Sequence, residues 1–194
     1  MVLKYFIATG LLFILSLSGC KSYNFEDKFS FQPIKPSAGE KLTILYNYET
    51  TPLKNSENIV SYVYFFSNKL DDTKSYKMIR EGAGWISEID IPPATISLLV
   101  KFTDESGKRE DNNGGVSYII NMFDDSGQEL PATKSVYGIV KAARGTYAGM
   151  KTNREEGITL LEKSFKRCSA SSWSLSNHFR LGLWPRNISI FSNH

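Results

Sequence analysis

Seven runs of strand length divide the stretch from Phe29 to Phe123, and turn residues close each of them. They cover residues 29–34, 41–48, 59–67, 75–80, 85–91, 95–103 and 116–123, and they are rich in Tyr, Phe, Ile and Val. Such side chains suit a pleated, half-buried surface, where they pack against neighbours on the adjoining strand. Between the runs lie Pro36-Ser37-Ala38-Gly39, Glu81-Gly82-Ala83-Gly84, Pro92-Pro93, Glu105-Ser106-Gly107 and Asp111-Asn112-Asn113-Gly114-Gly115. Residues of this kind supply positive φ, preset φ, or hydrogen-bond their own backbone, so each cluster turns the chain.

Short strands so closely spaced predict a mainly-β fold: an antiparallel, immunoglobulin-like sandwich of about seven strands over residues 29–128. Alternation assigns the faces. Leu42, Ile44, Tyr46 and Tyr48 share one side, opposite Lys41, Thr43 and Asn47, with Leu45 breaking the polar side. Ile96, Leu98, Val100 and Phe102 point together, as do Val116, Tyr118, Ile120 and Met122. A slip of one residue would turn each set into water, so the register is strongly specified. The 59–66 run is apolar on both sides, Val60, Tyr62, Tyr64 and Phe66 opposing Ile59, Val63 and Phe65. Such a strand requires a second cover from a helix, another domain or a ligand.

After Glu129 the period changes. Val136, Val140, Ala143 and Tyr147 recur at helical spacing, and a second helix is expected from Asn153, with Glu156 completing a capping box. Its apolar stripe reads Ile158, Leu161 and Phe165, with Leu160 alongside. Residues 129–167 are therefore expected to form two short α-helices following the sandwich.

The composition is that of a globular protein, 41% hydrophobic and 22% charged. The formal charge of +3 comes from Lys4, Arg180 and Arg186 near the ends, since residues 21–167 carry 20 basic and 20 acidic side chains. That even balance lacks the concentrated basic face that nucleic acid requires, so no nucleic-acid partner is expected.

At the N-terminus, Lys4 precedes a 13-residue uncharged run from Tyr5 to Leu17. The run is shorter than the roughly 20 residues of a membrane-spanning helix and has the length of a secretory signal core. It ends in Leu17-Ser18-Gly19-Cys20, which resembles the lipobox of bacterial lipoproteins. The resemblance implies cleavage after Gly19, lipid attachment to the Cys20 thiol, and acylation of the new amine. Residues 1–19 are then a signal peptide and 20–28 a lipidated tether. Lys21 and Ser22 follow Cys20 with no aspartate between, which in that family favours the outer membrane over the inner one. The expected location is the cell envelope, at the periplasmic face of the outer membrane or on the cell surface.

The far end differs. Residues 168–194 contain no acidic residue, seven serines, His178, His194, Trp173 and Trp184, with no hydrophobic period. This composition fits out-of-frame translation from about Arg167 better than a functional Ser- and Trp-containing tail.

Trp85 after a glycine turn, the Leu99-Val100-Lys101-Phe102 strand, the segment from Asp111 to Tyr118 and the helices beyond together resemble lipid-anchored thioredoxin-like lipoproteins. The resemblance covers roughly residues 29–166. It implies an immunoglobulin-like N-terminal region, a helical middle and a C-terminal thioredoxin domain. No Cys-x-x-Cys occurs in this chain, so no catalytic residue is carried over, and the implied role is a spacer or protein-contact module.

The absence of Cys and His from residues 21–167 removes Ser-His-Asp sites, Cys-His sites, thiolate zinc sites and His-ligated metals from that stretch. Carboxylate pairs remain, Asp104 with Glu105 and Asp124 with Asp125, as do the oxygens of Asp111, Asn112 and Asn113 for calcium, though without an EF-hand spacing. Solvated turns account for all of them more simply, and no catalytic residue, metal or cofactor is expected. The alternative function is glycan binding on a platform of Tyr62, Tyr64 and Trp85, with Asn47 or Asn113 as a polar handle. The expected partners are thus the membrane, through lipid on Cys20, and a protein or polysaccharide.

Overall fold

The computed structural model describes residues 23–67 and 71–168. Gly19 and Cys20 at the lipobox, and the tail from residue 169 onward, lie outside the described residues. Among the described residues nine strands are arranged in two antiparallel sheets. The first takes β1 (Phe29–Gln32), β2 (Lys41–Tyr46), β6 (Gly84–Asp90) and β5 (Ile79–Glu81), in that order. The second takes β4 (Asp72–Lys77), β3 (Ile59–Ser67) and β7 (Thr95–Asp104). On its far side β7 pairs with β8 (Glu110–Asp111) at one end and with β9 (Tyr118–Asn121) at the other. In immunoglobulin terms β1-β2-β6-β5 form the ABED sheet, β3-β7-β9 form CFG, and β4 is an added edge strand.

All seven expected runs contain strands, and the count rises to nine for two reasons. The 75–80 run serves both sheets: β4 ends at Lys77, Met78 donates its N–H to the Ile59 carbonyl, and β5 begins at Ile79 in the other sheet. The short β8 is formed by Asp111, the first residue of an expected turn, and the Glu110 before it.

The core lies between the sheets. Leu42, Ile44, Tyr46, Val63, Phe65, Trp85, Ile89, Leu98, Val100, Phe102 and Ile120 are all buried there in one cluster. Tyr46 stacks on Phe102 with centroids 3.8 Å apart and planes at 19°. Each such side chain stabilises the fold by about 1.5–3 kcal/mol relative to exposure. Ser61 and Ser87 face each other across the gap, Oγ to Oγ 3.2 Å, a small polar pair inside an apolar core.

A second cluster lies on the outer side of the CFG sheet and supplies the cover that the two-sided strand requires. Tyr64, Phe66, Ile96 and Leu99 pack there against Ala132, Val136 and Val140 from α1 (Ala132–Ile139) and the π turn that follows it at Val140–Arg144. Ile96 therefore leaves the face expected for it. A bulge pairs Phe66 with Ser97 but Ser67 with Thr95, so Ile96 is the extra residue and turns outward toward the helix. Its carbonyl accepts a hydrogen bond from Thr133 Oγ1 at 2.9 Å, fixing the start of α1 to the bulge. Val116 also leaves its expected face, 37% exposed, because Ser117 has φ 61° and β9 starts only at Tyr118.

The helical stripe is corrected as well. The π turn admits an extra residue, so Ala142 and Ala148 are buried while Ala143 and Tyr147 face outward. Asn153 caps α2 (Arg154–Cys168) as expected, accepting from the Glu156 N–H at 3.1 Å. The reciprocal half of the capping box is absent. Asn153 donates its own N–H to the Lys141 carbonyl, and Glu156 pairs with the buried Lys141 ammonium at 3.3 Å. Against α1 the helix buries Gly157, Leu161 and Ser164, whereas Ile158 and Leu160 are only half-buried. Small residues set this contact: Ser135 and Ser164 share a hydrogen bond at 2.7 Å, and Gly138 lies against Leu161 and Gly157.

Candidate functional site

A buried polar constellation surrounds Asp111, an aspartate on β8. Each of its partners comes from a different part of the fold. Tyr46 on β2 and Tyr118 on β9 donate their hydroxyls to Oδ2 at 2.7 and 2.8 Å. The Asn113 N–H reaches Oδ1 at 3.0 Å, and Lys28, one residue before β1, lies 3.1 Å from Oδ2 and 3.2 Å from Oδ1. Rings enclose the group. Phe29 lies against Tyr118 at 4.6 Å between centroids, and the Lys28 ammonium stands 5.5 Å from the centre of the Tyr118 ring.

Burial by itself would raise the Asp111 pKa. The hydrogen bonds from Tyr46, Tyr118, Asn113 and Lys28 together outweigh it and hold the carboxyl below its ordinary value. Burial, reinforced by the adjacent carboxylate, pushes both phenols upward; for Tyr46 a contact with Thr51 opposes part of that rise. A general base working near neutral pH needs a raised carboxyl pKa, and a phenol nucleophile needs a lowered one. Asp111 and both phenols are displaced the other way. With about four acceptor positions on a carboxylate and four donors around it, Asp111 is saturated. It ties the segment before β1, β2, β8 and β9 into one end of the sandwich.

The other carboxylates are committed locally. Asp104 receives Ser106 Oγ, the Lys108 and Arg109 N–H groups and Arg109 Nε within the β7–β8 turn. Although its partial desolvation acts upward, these bonds lower it to about 2. Glu105 pairs with Lys77 at 2.8 Å and accepts from Asn58, so it does not act with Asp104. Asp124 closes its own turn by accepting from Ser126 and Gln128. Asp111, Asn112 and Asn113 do not converge on a shared cavity: Asn112 binds Glu110, Gly149 and Gly115, and Asn113 reaches Ser117. Among the described residues no three carboxylate, Cys or His groups gather as metal ligands.

The aromatic platform does not form. Trp85 points into the inter-sheet core, only 4% exposed and edge-on to Tyr48, whereas Tyr62 and Tyr64 belong to the outer face of the opposite sheet. Tyr64 is buried against Tyr147, and Tyr62 lies under the Lys101 ammonium. The intended side-chain handles are occupied, Asn47 Nδ2 by the Phe25 carbonyl and Asn113 Nδ2 by the Ser117 carbonyl. Strand parity separates the rings: Trp85 sits on the core side of β6, and Tyr62 and Tyr64 on the non-core side of β3. The Gly82-Ala83-Gly84 segment belongs to the β5–β6 hairpin, with Glu81 paired to Gly84.

A groove of about 380 Å³ runs between β9, α1 and α2, with Ile119, Tyr137 and Leu160 on its walls and Lys134 and Lys163 at its rim. The segment expected to be a free tether is partly built into the fold. Asn47 Nδ2 donates to the Phe25 carbonyl at 2.8 Å, and the Asn47 N–H donates to the Lys28 carbonyl at 3.0 Å, extending the β1–β2 ladder. Phe25 lies on Gly84 so closely that a Cβ there would fall within its ring.

Sequence spacing pointed to Tyr62, Tyr64 and Trp85 and missed the Asp111 set. Lys28, Tyr46, Asp111 and Tyr118 have no motif spacing; the available signal was two tyrosines on inward faces that need buried acceptors.

The fold and this site define an immunoglobulin-like sandwich with a helical cap and a buried Asp–Tyr–Tyr–Lys lock. No known family model and no curated protein matches the chain. Among solved structures it is similar to a cycloalternan-degrading enzyme from Trueperella pyogenes, at 18% identity and a TM-score of 0.35. The likeness covers 48% of this chain and 12% of that one, and a likeness so loose carries no argument about activity.

Proposed function

We propose that this chain is a lipid-anchored cell-envelope protein whose immunoglobulin-like domain works by position and contact and not by catalysis. The observation that carries the reading is the succession of Lys4, the uncharged run to Leu17 and Leu17-Ser18-Gly19-Cys20 directly ahead of the domain. Charge, run length and small residues before a cysteine are the features on which lipoprotein processing depends. The saturated state of Asp111, and the local commitments of Asp104, Glu105 and Asp124, agree with a structural use of the domain's carboxylates. In the thioredoxin-like lipoproteins that the sequence resembles, such a region stands ahead of a redox domain and positions it. The same role is proposed here, at the outer membrane or cell surface.

Expression with labelled palmitate tests the anchor. Wild type takes up label and fractionates with membranes, while Cys20→Ala does neither. Equal labelling of both proteins, or a wild type that remains in the soluble fraction, overturns the reading. Among the described residues no helix is long and apolar enough to cross a membrane.

A further inference from the structure

The docking of Phe25 bears on what the anchor does. From Cys20 to Phe25 is five residues, at most about 17 Å of extended chain. Phe25 is held in place by the Asn47 hydrogen bond to its carbonyl and by its ring on Gly84, at the outer face of the ABED sheet. Tyr23, Asn24 and Glu26 line an open concavity of about 470 Å³ with Phe25, Glu81, Gly82 and Ala83. We infer that the β5–β6 hairpin, together with Tyr23 and Phe25, is the end of the domain that meets the phospholipid headgroups. The domain is thereby held with that end toward the bilayer. The inference rests on the proposed acylation of Cys20.

Chain length and polarity commit the occupant to lipid. Two or three acyl chains on one cysteine hold that residue at the bilayer surface, and a link of at most about 17 Å keeps the hairpin nearer the headgroups than the opposite end of the domain. Tyrosine is a side chain that settles at headgroup level, with its ring toward the chains and its hydroxyl wet. The opposite end of the sandwich, at the turn from residue 36 to 39, is separated by the length of β2, about 20 Å. Glu26 and Glu81 place negative charge at the hairpin end, so zwitterionic headgroups suit it better than anionic ones.

The test uses the lipidated full chain carrying Cys168→Ser, reconstituted in phosphatidylcholine vesicles that contain a headgroup-labelled energy acceptor. A donor dye is placed through Ala83→Cys at the hairpin or Ala38→Cys at the opposite end. Transfer from position 83 is expected to exceed transfer from position 38 by at least two-fold. Gly84→Val, which evicts the Phe25 ring and lengthens the free link to Lys28, is expected to narrow the difference without abolishing it, because Asn47 still holds the Lys28 carbonyl at the same end. Phe25→Ala, which adds no bulk to β6, should do the same and decides the matter if Gly84→Val misfolds. Equal transfer in the parent protein, or a difference unchanged by Phe25→Ala, overturns the placement while leaving the anchor intact. A chain purified from membranes without lipid on Cys20 overturns the placement and the anchor together.

Discussion

Asp111→Ala lowers the unfolding free energy by about 3 kcal/mol or more, measured by urea denaturation at neutral pH. The substitution strands the Tyr46 and Tyr118 hydroxyls and the Asn113 N–H around a buried vacancy. Each unsatisfied buried donor costs about 1–3 kcal/mol. Lys28 adds less, because it is 36% exposed and its ammonium can return to water. Tyr46→Phe removes one donor while Asp111 keeps the others, so its cost is expected near 1 kcal/mol. If Asp111→Ala and Tyr46→Phe cost the same, the lock does not act as a unit.

The pH dependence has a definite sign. Asp111 is held below its ordinary pKa, so its contribution is complete above the unfolded value of about 4 and is lost as pH falls through the lower folded value. The two tyrosines are raised, so theirs is complete below about 10 and is lost as pH rises toward the folded values. Asp111→Asn abolishes the acid-side loss attributable to this group, and the wild-type and variant stability curves converge at low pH. Parallel curves down to pH 2 would remove the lock from the explanation of acid sensitivity.

Gly157→Ala is expected to destabilise the helical cap by about 1–3 kcal/mol. The sign opposes helix propensity, on which alanine gains about 1 kcal/mol over glycine. The reason is space: a Cβ on Gly157 would lie 2.5 Å from the Ala142 backbone nitrogen and 2.7 Å from its Cα, atoms that move only if the π turn moves. The exposed Thr159 on the same helix provides the control, and Thr159→Ala should change stability by less than about 0.5 kcal/mol. Hydrogen exchange distinguishes the expected outcome from general unfolding, since protection should fall in α1 and α2 before it falls in β3 and β7. A stabilising Gly157→Ala would show that α2 and the π turn are not packed at this distance.

Much of the β-structure was legible because alternation is a local property. The inward set of β2 and the two-sided character of β3 follow from which residues sit an even number of positions apart. The cover over Tyr64 and Phe66 was foreseen as a need, and the helix that supplies it was foreseen separately from its period. Two misreadings arose where one residue was added to a period. The bulge at Ile96 and the π turn at Val140–Arg144 each shift the facing of what lies nearby, and neither leaves a mark in local composition.

Side-chain periodicity, turn chemistry and the Leu17-Ser18-Gly19-Cys20 box depend only on neighbours in the chain, so residue order alone determined the mainly-β class, the helical addition and the expected anchor. The tertiary structure decided which polar groups meet. Lys28, Tyr46, Asp111 and Tyr118 come together because antiparallel pairing brings the start of β1 beside the end of β2, and β7 holds β8 and β9 along one side. It likewise buried Trp85 between the two sheets and Tyr64 on the outer face of one of them, and it laid Phe25 on the bare backbone of Gly84. Contacts between residues far apart in sequence depend on register and sheet order, and those are set by the packing of the whole core.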